Sequence, residues 1–93
     1  MTSVWFKHYT VEYLEGLRNA NMGEHIGIHF TEIGVDFLKG SMPVDNRTTQ
    51  PFGILHGGAS CVLSETLGSV AGWMTIDPDK YRAVGLELNI NHI

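Results

Sequence analysis

Residues 59–76 (ASCVLSETLGSVAGWMTI) constrain the chain more than any other stretch. No proline interrupts them, and apolar residues fall at nearly every turn: Val62, Leu63, Leu67, Val70, Ala71, Trp73 and Met74. The pattern predicts one long helix, ended by Asp77, Pro78 and Asp79. A helix that is apolar on most of its sides has to be buried. The rest of the chain must therefore wrap it.

The flanking segments can do so. Residues 10–19 read as a helix capped by Thr10, with Val11, Leu14 and Leu17 on one face. Residues 19–23 break it. Residues 27–32 (GIHFTE) alternate Ile28 and Phe30 against His29 and Thr31, as a strand does. Residues 34–36 are a turn, and residues 37–44 (FLKGSMPV) continue more loosely. Together they predict an antiparallel hairpin, with Pro43 at an edge or strand end. Residues 45–55 read as a loop, and His56, Gly57 and Gly58 lead into the long helix. Residues 82–93 (RAVGLELNINHI) place Val84, Leu86, Leu88 and Ile90 on one side and Glu87, Asn89 and Asn91 on the other. That is the pattern of a half-buried strand. The order helix, two strands, long helix, strand implies an α+β fold. No repeat or linker divides it, so residues 1–93 read as a single domain. Its last strand stops at Ile93, which leaves the sheet unfinished.

Composition removes several classes. With 43% hydrophobic and 17% charged residues the chain is not disordered. At 93 residues it buries only roughly 60–65% of its unfolded surface, so a partner chain is the natural source of further burial. Cys61 is the single cysteine. It cannot form an internal disulfide or a cysteine-pair zinc site, which points to a reducing, cytoplasmic compartment. The six basic residues are scattered and the net charge is −4, against nucleic-acid binding. No apolar run reaches about 18 residues, against a membrane span. The opening MTSVWFKHYT lacks the pattern of a signal peptide. Of His8, His25, His29, His56 and His92, no two share a predicted helix at metal-ligating spacing, and no metal or other cofactor is expected. Trp73 and Phe52 read as core residues, and Cys61 as an inert core cysteine.

Glu65 is the anomaly. It lies in the middle of the most hydrophobic helix, where an unpaired carboxylate is costly and often functional. Cys61, Gly68, Ser69 and Gly72 share its face, so the acid sits in a stripe of small residues. Two helical glycines cost about 1 kcal/mol each relative to alanine, which suggests that a backbone or a ligand approaches closely. The alternatives are that Glu65 is solvated or paired with Arg47 or Arg82, and that the stripe serves helix packing.

The second feature is His56–Gly57–Gly58. Backbone N–H groups at a helix start are unsatisfied and carry the positive end of the dipole, and glycine admits a ligand. Oxyanion sites are built this way, although two glycines also simply permit a turn. Eight residues separate Gly57 from Glu65, about 12 Å along a helix axis. A glutamate side chain cannot close that gap. If both act on one carbonyl, they come from different chains, related by a two-fold axis that makes two sites per dimer.

With these residues in view, MPVDNR (42–47), QPFGILHGGAS (50–60) and LSETLGSVA (63–71) resemble the hotdog-fold thioesterases. The branch is that of bacterial acyl-CoA thioesterases related to 1,4-dihydroxy-2-naphthoyl-CoA hydrolase of menaquinone synthesis and to the enterobactin-pathway proofreading thioesterase. The likeness runs from about residue 21 to 92. It implies a hotdog fold, in which a curved antiparallel sheet wraps a long central helix, in a dimer or dimer of dimers. It implies metal-free hydrolysis of an acyl-CoA or acyl carrier protein thioester. By position, Glu65 matches the catalytic carboxylate, as nucleophile or as general base. Gly57 matches the residue whose N–H polarises the thioester carbonyl, with Gly58 beside it as a substrate-binding position. Gln50 and His56 match polar residues that orient the carbonyl or the water. Ser69 matches a hydroxyl one turn after the acid, and His92 a histidine near the acyl pocket. Family members continue for some 45 further residues that form two more strands, so the chain reads as a hotdog domain incomplete at its C-terminus.

Three functions remain open on these grounds: hydrolysis of an aromatic or related acyl-CoA, a non-catalytic acyl-binding or dimerising role (including an inactive remnant), and dehydration on the same fold. Glu65, Gln50 and Gly57 occurring together favour the hydrolase, because a binder needs no acid facing the carbonyl.

Overall fold

A computed structural model describes residues 2–92; Ile93, the last residue of the expected final strand, lies outside the described residues. Helix α1 (Val11–Leu17) starts where Thr10 Oγ1 accepts the N–H of Tyr13. It is shorter than the sequence suggests, and Ala20 turns the chain through a left-handed conformation. The expected break at 19–23 instead contains a single-turn helix, α2 (Met22–His25), capped by the Asn21 side chain.

Strands β1 (His29–Ile33) and β2 (Leu38–Ser41) form the expected antiparallel hairpin. Phe30 opposes Gly40 and Ile33 opposes Leu38, with a bulge between Phe30 and Glu32. β2 ends before Pro43, which has no N–H to give a ladder. The long helix, α3 (Gly57–Met74), starts two residues earlier than expected because His56 caps it. Its lower turns pack on the hairpin. A Cβ at Gly40 would meet Leu67 Cδ2 at 2.7 Å and the His29 carbonyl oxygen at 2.9 Å, so glycine lets α3 lie close on the hairpin without displacing the β1 backbone.

Tyr9, Leu14, Phe30 and Met74 form the buried core, with Leu67, Val70 and Trp73 of α3 packed around it. Trp73 stacks on Tyr13 and tilts against Tyr9. The N-terminal segment is tied over this end by Phe6 N–H to Met74 O (2.8 Å) and Trp5 Nε1–H to Gly34 O (2.7 Å).

Three expectations are corrected. Residues 82–92 form no ladder and are largely exposed, with Leu86 at 99%. Alternation chooses the faces of a strand, but only a neighbouring strand supplies its hydrogen bonds, and β1 and β2 pair with each other. The long helix is half-buried rather than buried, Met74 being its one fully enclosed side chain, because a two-stranded hairpin covers one side only. Phe52 is 87% exposed, at the tip of the loop before α3, and not in the core.

Candidate functional site

The structure sorts the sequence-derived residues into two groups along α3. The first gathers at its N-terminus. His56 Nδ1 accepts the N–H of Gly58 at 2.8 Å. In a neutral ring the proton is then on Nε2, which is left as a donor. The backbone N–H of His56 donates to Thr48 O (2.8 Å), and Thr48 is itself buried and bonded to Pro43 O. The cap is thus fixed to a rigid loop. Gly58 spends its N–H on this cap, and a Cβ there would collide with the His56 ring at 2.9 Å. Gly57 has no protein acceptor for its N–H among the described residues. The His92 ring lies against Gly57, with Nε2 hydrogen-bonded to Ser60 Oγ. His92 is therefore placed beside the helix start and not beside Glu65. Gln50 lies half-buried in the preceding loop, its side-chain oxygen accepting the N–H of Phe52 and its amide donors meeting no acceptor among the described residues.

The second group is centred on Glu65, two turns further along the same unbroken helix. Ser69 Oγ donates to Glu65 Oε1 at 2.7 Å. The i,i+4 spacing of a helix sets this contact. Glu65 forms no ion pair among the described residues: Arg47 is held by Asp45 at 2.6 Å instead, because two residues of loop bring them together. The half-buried carboxylate lines a cavity of about 350 Å³ between α3 and the α1–α2 segment. Leu17, Ile28, Phe30 and Val70 make its walls largely apolar. Such a volume, apolar walls and a few polar groups are what small-ligand sites share.

Two contributors were not singled out in the sequence. Gly85 lies directly against the Glu65 carboxylate, and a Cβ there would overlap it. A lone glycine within an alternating strand pattern was its available signal. Glu15 is the other. It accepts from His29 Nδ1 (2.8 Å), from Arg18 Nε (3.3 Å) and from the Phe30 N–H, and so ties α1 to β1 on the far side of the cavity. Burial pushes its carboxyl up, but the hydrogen bonds from His29 and Phe30 and the charge of Arg18 outweigh this and hold it below its ordinary value. No local periodicity could have paired residues this far apart.

Among the described residues there is no group of three or more His, Cys, Asp or Glu side chains placed to hold a metal ion, and no helix is long and apolar enough to cross a membrane.

Comparison with known proteins follows the same lines. The family model "Thioesterase superfamily" matches residues 52–93. The 1,4-dihydroxy-2-naphthoyl-CoA hydrolase of Escherichia coli K12 is 48% identical over 90 residues, which is 97% of this chain and 65% of the relative. The proofreading thioesterase EntH of Cronobacter sakazakii is 49% identical over 89 residues, 96% of this chain and 64% of the relative. A crystal structure of a mutant thioesterase from Pseudomonas aeruginosa superposes with a TM-score of 0.95 at 45% identity, over 98% of this chain and 66% of that one. A thioesterase structure from Haemophilus influenzae gives 0.92 at 43% identity, over 97% and 62%. The chain thus spans a little under two thirds of the relatives it matches.

Proposed function

Because this chain belongs to the hotdog-fold thioesterase superfamily, we propose that the protein containing it hydrolyses an aromatic acyl-CoA thioester. The observation that carries this reading is Glu65: a carboxylate oriented by Ser69 on the wall of a largely apolar cavity, with no ion pair to it among the described residues. The name of one relative, a 1,4-dihydroxy-2-naphthoyl-CoA hydrolase, favours an aromatic acyl group such as 1,4-dihydroxy-2-naphthoyl.

In this reading the acyl group enters the cavity and its thioester carbonyl oxygen accepts from the Gly57 N–H at the positive end of α3. His56 and Gln50 orient the carbonyl or the attacking water. Glu65 drives attack on the carbonyl carbon, directly or by taking a proton from water. The tetrahedral intermediate collapses with loss of the coenzyme A thiolate: where water attacked, Glu65 passes the proton it took to the thiolate and the free acid leaves; where Glu65 attacked, the mixed anhydride so formed is cleaved by a water, which frees the acid, restores the carboxylate and supplies the thiolate's proton. Gly57 and Glu65 are eight positions apart on one continuous helix, about 12 Å along its axis, too far to meet at one carbonyl. The pair at each carbonyl then comes from two copies of the chain in a homodimer or dimer of dimers. Residues 1–93 act as one hotdog domain, and Ser69, Gly58 and His92 border the substrate.

The test is Glu65→Gln in the full-length protein, assayed with a panel of acyl-CoA thioesters. Loss of a general acid–base group costs roughly 10²–10⁴-fold, so turnover should fall by at least that factor. Undiminished hydrolysis across the panel would overturn the proposal.

A further inference from the structure

Ser60, in the first turn of α3, touches two groups at once. Its hydroxyl donates to the Gly57 carbonyl oxygen at 2.9 Å and also meets His92 Nε2. A hydroxyl has one hydrogen and two lone pairs, and a carbonyl oxygen only accepts. The hydrogen lies between the two oxygens, since without it their lone pairs would face each other. Ser60 Oγ is then left to accept from His92, so the neutral ring carries its proton on Nε2 and Nδ1 is bare. Nδ1 has no hydrogen-bond partner among the described residues. It lies 3.7 Å from where a Cβ on Gly57 would stand, at the exposed start of the helix.

The helix start therefore offers two donors and one acceptor. The Gly57 N–H has no protein acceptor among the described residues, and His56 presents Nε2–H because its Nδ1 is spent on Gly58. The donors suit a thioester carbonyl oxygen. The acceptor does not, because its lone pair repels that oxygen, so His92 Nδ1 needs a donor elsewhere on the substrate. In the two-chain site the acyl group enters the apolar cavity at Glu65 of the partner subunit, which leaves the thiol side of the substrate over the helix start. The donor nearest the sulfur on that side is the first amide N–H of the pantetheine arm, two methylenes away. Coenzyme A and acyl carrier proteins both carry it. We propose that Ser60 is a positioning residue that holds His92 as the Nε2–H tautomer with Nδ1 turned to the substrate, and that Nδ1 accepts this amide N–H. The inference rests on the thioesterase reading above.

The experiment compares kcat/KM of the full-length protein for two benzoyl thioesters. One is that of N-acetylcysteamine, which keeps the amide; the other is that of O-acetyl mercaptoethanol, in which an ester oxygen replaces the N–H. The difference in their intrinsic reactivity is measured by alkaline hydrolysis and divided out. The ratio of two substrates on one sample is independent of how much of that sample is folded. The wild type should favour the amide by about threefold to tenfold, as expected for one neutral hydrogen bond. His92→Phe should bring the ratio to about unity. Ser60→Ala, which frees the ring to turn, should lower it, and Ser60→Thr, which keeps the hydroxyl, should restore it. A wild type with no preference, or a preference that survives in His92→Phe, overturns the inference, and a ratio unchanged in Ser60→Ala removes Ser60 from it. The second measurement needs no variant: long-range proton–nitrogen spectra of the wild type, taken well above the ordinary titration range of histidine, should show His92 protonated on Nε2. A proton on Nδ1 overturns the inference equally. Glu65→Gln, run alongside, separates the two proposals. It should abolish hydrolysis of both thioesters and leave the His92 spectrum unchanged, so hydrolysis that persists there refutes the catalytic reading, while a wrong tautomer or ratio refutes only the roles of Ser60 and His92.

Discussion

Gly85→Ala tests how tightly the carboxylate of Glu65 is placed. The added methyl would overlap Glu65 Oε1, its nearest atom, and stand 2.7 Å from the carboxyl carbon, where ordinary contact begins at 3.4 Å, so the carboxylate must retreat by more than 0.7 Å. It is not free to swing without loss, because Ser69 holds one oxygen at 2.7 Å. A misplacement of about 1 Å in a reacting group costs up to roughly 10²-fold. We therefore expect kcat to fall by some tens of fold. Stability should hardly change: residues 82–92 form no ladder, and Gly85 is exposed. A surface change of this kind stays within about 0.5 kcal/mol. Release of coenzyme A thiol at saturating benzoyl-CoA reports kcat, and a thermal melt reports stability. If kcat stayed within twofold of wild type while Glu65→Gln was inactive, the placement of Glu65 by its two neighbours would be wrong.

Ser69→Ala removes the donor to Glu65 Oε1. A hydrogen bond to a charged group contributes roughly 1.5–3 kcal/mol, and half-burial favours the lower figure, about tenfold in kcat/KM; an unchanged value counts against the pair. The Glu15 carboxyl is held below its ordinary 4.5, so its ties stabilise the fold above that pH and are lost as the pH falls below it. Urea midpoints measured from pH 6 to 3 should drop in the wild type and drop less in Glu15→Gln; equal slopes would exclude Glu15 as the source. Leu14 is 0% exposed in the core, so Leu14→Ala should cost about 2–5 kcal/mol by denaturant unfolding. A cost below about 1 kcal/mol would show that α1 packs elsewhere.

Much of this was legible along the chain. Thr10 and the 3.6-residue spacing located α1, the alternation around Phe30 and the turn at Gly34 located the hairpin, and the apolar run located α3. Glu65 was legible as a charge among apolar residues, and its separation from Gly57 followed from the helix rise alone. What misled was the run 82–92. Its alternation is a statement about side-chain faces, and a strand also needs a neighbour with free N–H and C=O groups, which no pattern within the run can report. The half-exposed state of α3 was hidden for the same reason, since its apolar sides say that it wants cover and not who supplies it.

Local order therefore came from the covalent chain: helix caps, turn residues and hydrophobic periods act over a few residues, and each is written where it acts. The long-range approaches came from packing. Gly85 against Glu65, Glu15 across to β1, and Arg18 at the cavity wall join residues far apart in sequence, and their positions depend on how helices and hairpin close on one another. Hydrogen bonds and steric contact act through space over a few ångströms, so only the folded chain could decide which of these groups would meet.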